Sequence, residues 1–362
     1  MNIELFKPNA HSVWQVNRVP ATQEEVTNIK NFAESVGIDL SEKDIERVNE
    51  GVTSANFVVM EKTNRTCLYR RAEILRDPES LKRTSRLLEY LFSKLVRVPL
   101  PLRFSSIEGN PFAVPYEGKW WQRFTFVPGN HYQGNRAELM QAGWHIAVLH
   151  EKLRSYPNVS EFPDKLFGYL DVETWKRNLS LIEDTVFSGM VSERFAFFKT
   201  MIDEIVNKQW QVGNDFELRQ IIHGDIHPQN LLYAPNGDLQ AIIDFGECGI
   251  GELGLDVANA MQRLVRQYVV KQRGVDTPIG QILDEGVRAF IDGYEAFDQV
   301  NKLSWLSLPM YMREILLRKV SVDMEQLVAK MVRDEDTVEE LNRWFPMFPE
   351  IDLMEESLKR VL

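Results

Sequence analysis

Apolar and polar positions along this chain follow two periods, near 3.6 residues in some stretches and two in others, and their order predicts a mixed fold. Val26, Ile29, Phe32, Ala33 and Val36 recur at helical spacing, between a Thr22-Gln23-Glu24-Glu25 capping box and a Gly37 stop. Ser41 to Asp44 reads as a smaller repeat of that capping pattern. A turn and then a strand are expected over Asn49 to Met60, with the next strand at Thr66 to Arg71 and a helix over Leu81 to Leu95. After a turn at Glu108-Gly109-Asn110 comes an aromatic strand, Trp120 to Val127, closed by Pro128-Gly129. Arg136 to Leu153 then carries Leu139, Ala142, Gly143, Ile146, Ala147, Leu149 and Leu153 on one helical face, and Phe195 to Trp210 reads as a further helix.

Two short apolar runs follow, Leu231-Leu232-Tyr233 and Leu239 to Ile243, joined through Pro235-Asn236-Gly237-Asp238. Asn-Gly between such runs is a strong hairpin signal. The remainder is expected to be helical: Val257 to Val270, Ile282 to Phe297, Leu306 to Val332 with Pro309 near its start, and Val338 to Phe345.

A chain of 362 residues exceeds the size at which single cores usually stop growing, so two lobes are expected, and 44% hydrophobic content suffices to bury both. The 42 basic and 53 acidic residues leave a net charge of −11, which argues against nucleic acid as a partner, because phosphate-backbone binding depends on Lys and Arg displacing counterions. Cys67 and Cys248 are too few for a disulfide framework and lack zinc spacing, which points to reduced thiols in a cytoplasmic protein. Met1 to Asn17 has no apolar export core, and no stretch has eighteen uncharged apolar residues, so neither export nor membrane spanning is expected.

The chemistry concentrates in Ile221 to Glu247. Asp225 follows His223-Gly224, Asn230 comes five positions later, and Asp244 precedes Phe245-Gly246. Phosphoryl transfer uses such a set: an Asp accepts the acceptor's hydroxyl proton, an Asn holds metal, and an Asp before Phe-Gly binds metal under the nucleotide phosphates. Pairing in the hairpin brings Asn230 and Asp244 together, and Mg²⁺ needs only a few protein oxygens when phosphates and waters complete its shell. No phosphate-binding loop is present, since nothing matches the glycine spacing before Gly118-Lys119. His145 and His150 lie five apart, and Arg154 stands where a zinc-protease helix would need its second His, so packed histidines are the expectation.

His223-Gly224-Asp225-Ile226-His227-Pro228-Gln229-Asn230 resembles the catalytic loop of the family that includes aminoglycoside phosphotransferases, choline kinases and homoserine kinases, with Gly where protein kinases carry Arg. Ile243 to Glu247 resembles its metal-binding segment, and Asp256 matches a family Asp that braces the catalytic loop. The resemblance implies an α+β, two-lobed protein-kinase-like fold. A small N-terminal antiparallel sheet lobe over residues 1–127 would bind the nucleotide, and a larger, mainly helical lobe over 128–362 would hold catalytic and acceptor groups. It further implies ATP and Mg²⁺ as cofactors, Asp225 and Asn230 as catalytic residues, and Asn230 and Asp244 as metal ligands. Ser54 and Asn56 fall where a loop covers the phosphates. Arg70 stands where protein kinases carry a strand Lys, and Trp120 to Gly129, including Gln122 and Phe124, would line adenine between the lobes. Adjacent strand residues face opposite sides, so Arg70 is taken as the phosphate contact and Arg71 as the surface residue, while Glu89 has no clear partner role.

The function so implied is transfer of the γ-phosphate of ATP to a hydroxyl of a small acceptor, an amino alcohol, amino sugar, sugar or homoserine-like molecule. A protein Ser/Thr kinase and a non-catalytic nucleotide-binding protein are the alternatives. For the acceptor, Glu247, Glu252 and Asp292 would suit a cation, and Arg263, Arg266 and Arg313 an anion. ATP against GTP, and the oligomeric state, stay open.

Overall fold

The computed structural model describes residues 5–6, 18–48, 54–61, 66–72, 77–104, 110–164, 200, 219–274, 277–297, 304–330 and 346–362, with the backbone alone at 41–44 and 321–330. The expected helices at Phe195 to Trp210 and Val338 to Phe345, and the turn at 49–53, lie outside the described residues, Thr200 excepted.

The N-terminal part is a six-stranded antiparallel sheet in the order β1-β2-β3-β4-β6-β5. Its strands are β1 (Arg18–Pro20), β2 (Leu40–Val48), β3 (Ser54–Glu61), β4 (Thr66–Ala72), β5 (Ala113–Tyr116) and β6 (Lys119–Thr125). Helix α1 (Gln23–Ser35) starts at the expected box: Glu25 N–H donates to Thr22 Oγ1 at 3.3 Å and Thr22 N–H to Glu25 Oε2 at 2.9 Å. Its apolar face covers one side of the sheet, where Phe32 stacks on Trp121 with ring centroids 4.6 Å apart. Such a pair contributes about 0.5–1.5 kcal/mol beyond its buried area. The alternation of β4 sends Cys67 and Tyr69 into this core and leaves Leu68 and Arg70 on the opposite side. Ser41 to Asp44 lies in β2, against the helical expectation, across the irregularity between the Leu40–Glu61 and Ile45–Val59 pairs with β3. Strand pairing on either side of the segment outweighs a four-residue capping signal.

Helix α2 (Pro78–Ser93), capped by Asp77, lies on the other side of the sheet, and its Leu87, Leu88 and Leu91 join the core of the C-terminal lobe. That lobe is mainly helical: α3 (Arg136–Arg154), α4 (Leu253–Gln272), α5 (Ile279–Glu295), α6 (Leu308–Lys330) and α7 (Met347–Val361). Backbones of α3 and α5 touch, since a Cβ on Gly143 would stand 2.5 Å from the Phe290 carbonyl and one on Gly293 2.1 Å from that of Met140. Two small sheets frame the stretch from His223 to Glu247: β7 (Asn130–His131), β9 (Leu231–Tyr233) and β10 (Leu239–Ile242) form one, β8 (Arg219–Ile222) and β11 (Gly249–Glu252) the other. The chain's start also reaches this lobe, where buried Phe6 donates its N–H to Glu350 Oε1 at 2.6 Å. Among the described residues no helix is long and apolar enough to cross a membrane, and Cys67 and Cys248 are buried thiols.

Candidate active site

Strand β8 ends at Ile222, and the next eight residues form a loop held largely by side chains that hydrogen-bond its backbone. Asp256, in the first turn of α4 and fully buried, accepts from the His223 N–H at 2.7 Å, the Gly224 N–H at 2.9 Å and His150 Nε2 at 3.2 Å. Burial works to raise its pKa, but these donors and the two imidazoles outweigh it and hold the carboxyl below its usual range. Asn259, one turn on, donates to the Ile226 carbonyl at 3.0 Å. His223 Nε2 lies 3.0 Å from the Ile243 carbonyl and its Nδ1 accepts from the Asp225 N–H at 3.2 Å, so both ring nitrogens are engaged and the ring is a brace. Gly224 has φ +83°, and a Cβ there would sit 2.5 Å from the Glu247 carbonyl oxygen. The loop and the Phe245–Glu247 turn therefore pack backbone against backbone, which an Arg at this position would prevent.

The hairpin brings the three predicted groups to one mouth. Leu231 pairs with Ile242, Gly237 turns at φ +85°, and the Ile243 N–H donates to the Asn230 carbonyl at 2.9 Å, which sets Asn230 beside Asp244. Asn230 Nδ2 donates to the Asp225 carbonyl at 2.9 Å, an orientation that leaves its Oδ1 for a metal. Asp225 Oδ2 lies 3.3 Å from His227 Nε2, and His227 Nδ1 accepts from the Gln229 N–H at 3.2 Å, so Nε2 carries the proton and donates. Burial works to raise the pKa of Asp225, but the His227 contact and the charge of Lys319 place it far below the usual carboxylate range. Asp244 is lowered too, with burial opposed by Arg70 and His223, and the charge of Asp225 bears on it across the site. Its backbone is left-handed, φ 62° and ψ 65°, a conformation that costs a non-glycine residue about 1–3 kcal/mol and clusters at functional sites.

The N-terminal sheet contributes from the face that α1 leaves uncovered. Arg70 donates through Nε to Ser54 Oγ at 3.0 Å and through its terminal nitrogen to Asp244 Oδ1 at 3.1 Å. Asn56 and Gln122 are its cross-strand partners in β3 and β6. Gln122 is buried with its amide 3.5 Å from Ser85 of α2, and Phe124 is buried in the C-terminal core. Arg71 lies on the other face, over the Phe57 and Trp121 rings and 3.3 Å from Asn28 Oδ1. The acids of α2 do not reach Arg70: Glu89 pairs with Arg103 and Glu79 with Lys82.

A sequence model of the phosphotransferase enzyme family matches residues 44–298, well over half of the chain. The chain belongs to that family. It is a phosphotransferase with an alcohol group as acceptor. No curated protein sequence matches it. Among solved structures, it is similar to an aminoglycoside phosphotransferase from Alicyclobacillus acidocaldarius at TM-score 0.64 and 16% identity, covering 94% of this chain and 96% of that one. A microcompartment-associated aminopropanol kinase aligns at TM-score 0.64 and 17% identity over 92% of this chain and 98% of its own. An amicoumacin kinase in complex with AMP-PNP, Ca²⁺ and Ami aligns at TM-score 0.63 and 14% identity over 92% and 96%. The shared fold is that of the protein kinases.

In this phosphotransferase a divalent ion fits the site. Among the described residues no group of three His, Cys, Asp or Glu side chains could hold a metal, and Asn230 with Asp244 offers two oxygens. Such a partial set suits an ion that keeps waters and takes phosphate oxygens, and suits poorly one that needs a complete protein cage. Two residues escaped the sequence reading. The role of His227 as a donor to Asp225 follows only from the loop's turn, and Lys319 sits in α6 with no motif around it. Only the packing of α6 against α4 brings its charge to Asp225.

Proposed function

We propose that the protein is an ATP- and Mg²⁺-dependent kinase that transfers the γ-phosphate to a hydroxyl of a small acceptor. The observation that supports this reading is the gathering of Asp225, Asn230 and Asp244 at one hairpin mouth, opposite Arg70. Asp225 takes the proton of the acceptor's hydroxyl, the acceptor's oxygen forms a bond to the γ-phosphorus, and the bond from that phosphorus to the β–γ bridging oxygen breaks, leaving ADP. General-base help of this kind contributes about 10²–10⁴-fold. Asn230 and Asp244 would hold the metal, which would supply charge neutralisation to the phosphates, and Arg70 with Ser54 and Asn56 would meet the phosphates. The adenine edge runs along the chain between Gln122 and Gly129, with Phe124 as apolar wall, and the lobes divide after Val127. A reducing cytoplasm suits the two buried thiols.

Arg70 meets no α2 carboxylate, an observation that favours a second reading, nucleotide binding without turnover. Measuring Mg-ATP binding and ATP consumption together over amino alcohols, sugars and hydroxy acids decides between them. The kinase reading expects Asp225→Ala to lower turnover far more than ATP affinity, and Asp244→Ala to abolish metal-dependent binding. Equal effects of both variants on both quantities would sink the assigned roles, and binding with no turnover on any acceptor would favour the second reading.

A further inference from the structure

We propose that Ser54 is the positioning residue of Arg70: its hydroxyl holds the guanidinium at Nε, in place of a carboxylate from α2, and so aims the terminal nitrogens at the nucleotide phosphates. This rests on the nucleotide-binding part of the kinase reading given above.

The register of β3, β4 and β6 sets Asn56 and Gln122 opposite Arg70, and Ser54, two positions before Asn56, on the same face of the sheet. From there the buried Ser54 Oγ accepts from Arg70 Nε at 3.0 Å. Protein kinases bring a helix Glu to the strand cation at this place. Here α2 presents the buried Ser85 hydroxyl instead, 3.5 Å from the Gln122 amide. Its two acids are turned to cations elsewhere, Glu79 to Lys82 at 3.7 Å and Glu89 to Arg103 at 2.9 Å. Leu87, Leu88 and Leu91 fix the helix in the core of the C-terminal lobe, so it is not free to swing an acid inward. Among the described residues the one carboxylate that Arg70 meets is Asp244 of the catalytic hairpin, at 3.1 Å.

A lysine has no donor along its stem and can be fixed only at its charged tip, whereas arginine carries a donor at Nε as well as on its terminal nitrogens. A neutral hydroxyl at Nε therefore fixes the stem and leaves the terminal fork and the whole positive charge for phosphate, which a carboxylate partner would partly neutralise. The pairing of Arg at 70 with Ser at 54 thus dispenses with the helix acid. Once the Asp244 carboxylate turns to a divalent ion, Ser54 is the contact that keeps the guanidinium at the cleft. Without that hydroxyl the side chain has to be ordered at each binding event, which lowers affinity by about three- to tenfold.

Calorimetric titration of the full chain with Mg-ATP and with adenosine tests this. Ser54→Ala is expected to weaken Mg-ATP by about three- to tenfold and to leave adenosine, which has no phosphate for Arg70 to meet, unchanged. In the Arg70→Met and Arg70→Lys backgrounds, which lack Nε, the same substitution should cost less than about twofold. Ser54→Thr should retain wild-type affinity, and Ser54→Val, of the same shape without the hydroxyl, should lose it as Ala does; that comparison decides the matter if Ser54→Ala does not fold. An equal loss in all three backgrounds makes Ser54 a direct phosphate contact and overturns the proposal, as does an equal loss for adenosine or unchanged Mg-ATP affinity in Ser54→Ala. ATP consumption over the acceptor panel, on the same samples, reports separately on the kinase reading. Coupling of Ser54 to Arg70 without turnover upholds the role of Ser54 and removes the kinase, turnover without coupling does the reverse, and absence of Mg-ATP binding overturns both.

Discussion

Arg70 and Asp244, 174 positions apart, meet at 3.1 Å and join the N-terminal sheet to the mouth of the catalytic hairpin. The guanidinium is shared between that carboxylate and Ser54 Oγ. On the proposed reading, a divalent ion held by Asp244 would weaken this contact and free the guanidinium for the nucleotide phosphates. Arg70→Met is therefore expected to weaken Mg-ATP binding by about tenfold or more, with Arg70→Lys in between because an ammonium lacks the planar fork. Calorimetric titration checks this, and unchanged affinity in Arg70→Met would make the residue a structural clamp only.

Gly224→Ala is expected to cost stability and turnover together. Its φ of +83° strains any side chain, and the new methyl would meet a carbonyl oxygen that cannot move without shifting the Phe245–Glu247 turn. A loss of about 1–3 kcal/mol in urea unfolding should accompany the loss of activity. Gly237→Ala is the control, because at φ +85° nothing lies within 4 Å of its added methyl. Only about 1 kcal/mol of backbone strain applies there, and turnover should survive.

Asp256→Ala removes the acceptor of two buried N–H groups and the partner of His150. Orphaning buried donors costs about 1–3 kcal/mol each, so denaturant midpoints should fall by the equivalent of about 3 kcal/mol or more, and Asp256→Asn should lose less. Since the folded pKa is depressed, this carboxylate's stabilisation is complete above the ordinary carboxylate range and is lost as pH falls through it.

His145 supplies a second pH dependence. Burial first, and the charge of Arg97 next, depress its pKa from 6.5 to about 4 against a small opposing pull from Asp238. Between those values the unfolded chain takes up a proton that the folded chain refuses, so stability falls as pH drops from 6.5 toward 4. Unfolding curves of His145→Gln should show a shallower decline over that window, and identical slopes would remove His145 as the cause.

Features encoded by neighbours in sequence are legible in the sequence alone. The Thr22 capping box, the opposite faces of Arg70 and Arg71, the turn at Asn236-Gly237 and the run from His223 to Asn230 each depend on backbone periods or on a few adjacent side chains. Where a local signal competed with pairing, as at Ser41 to Asp44, it lost, since the strand pairs at Leu40 and from Ile45 onward contribute more than one incipient turn. The aromatic strand read as a nucleotide edge also turned Trp121 into the packing partner of Phe32.

By itself, then, the sequence determined the elements with a clear period and singled out the short stretch from His223 to Glu247, because periodicity and local hydrogen bonding are written within a few positions. Only the tertiary structure decided that Asp256 reaches His150 across 106 residues, that Phe6 meets Glu350 across 344, and that the charge of Lys319 bears on Asp225. Those meetings depend on the angle and register at which helices pack, which the fit of whole apolar faces sets, and no single segment contains that information.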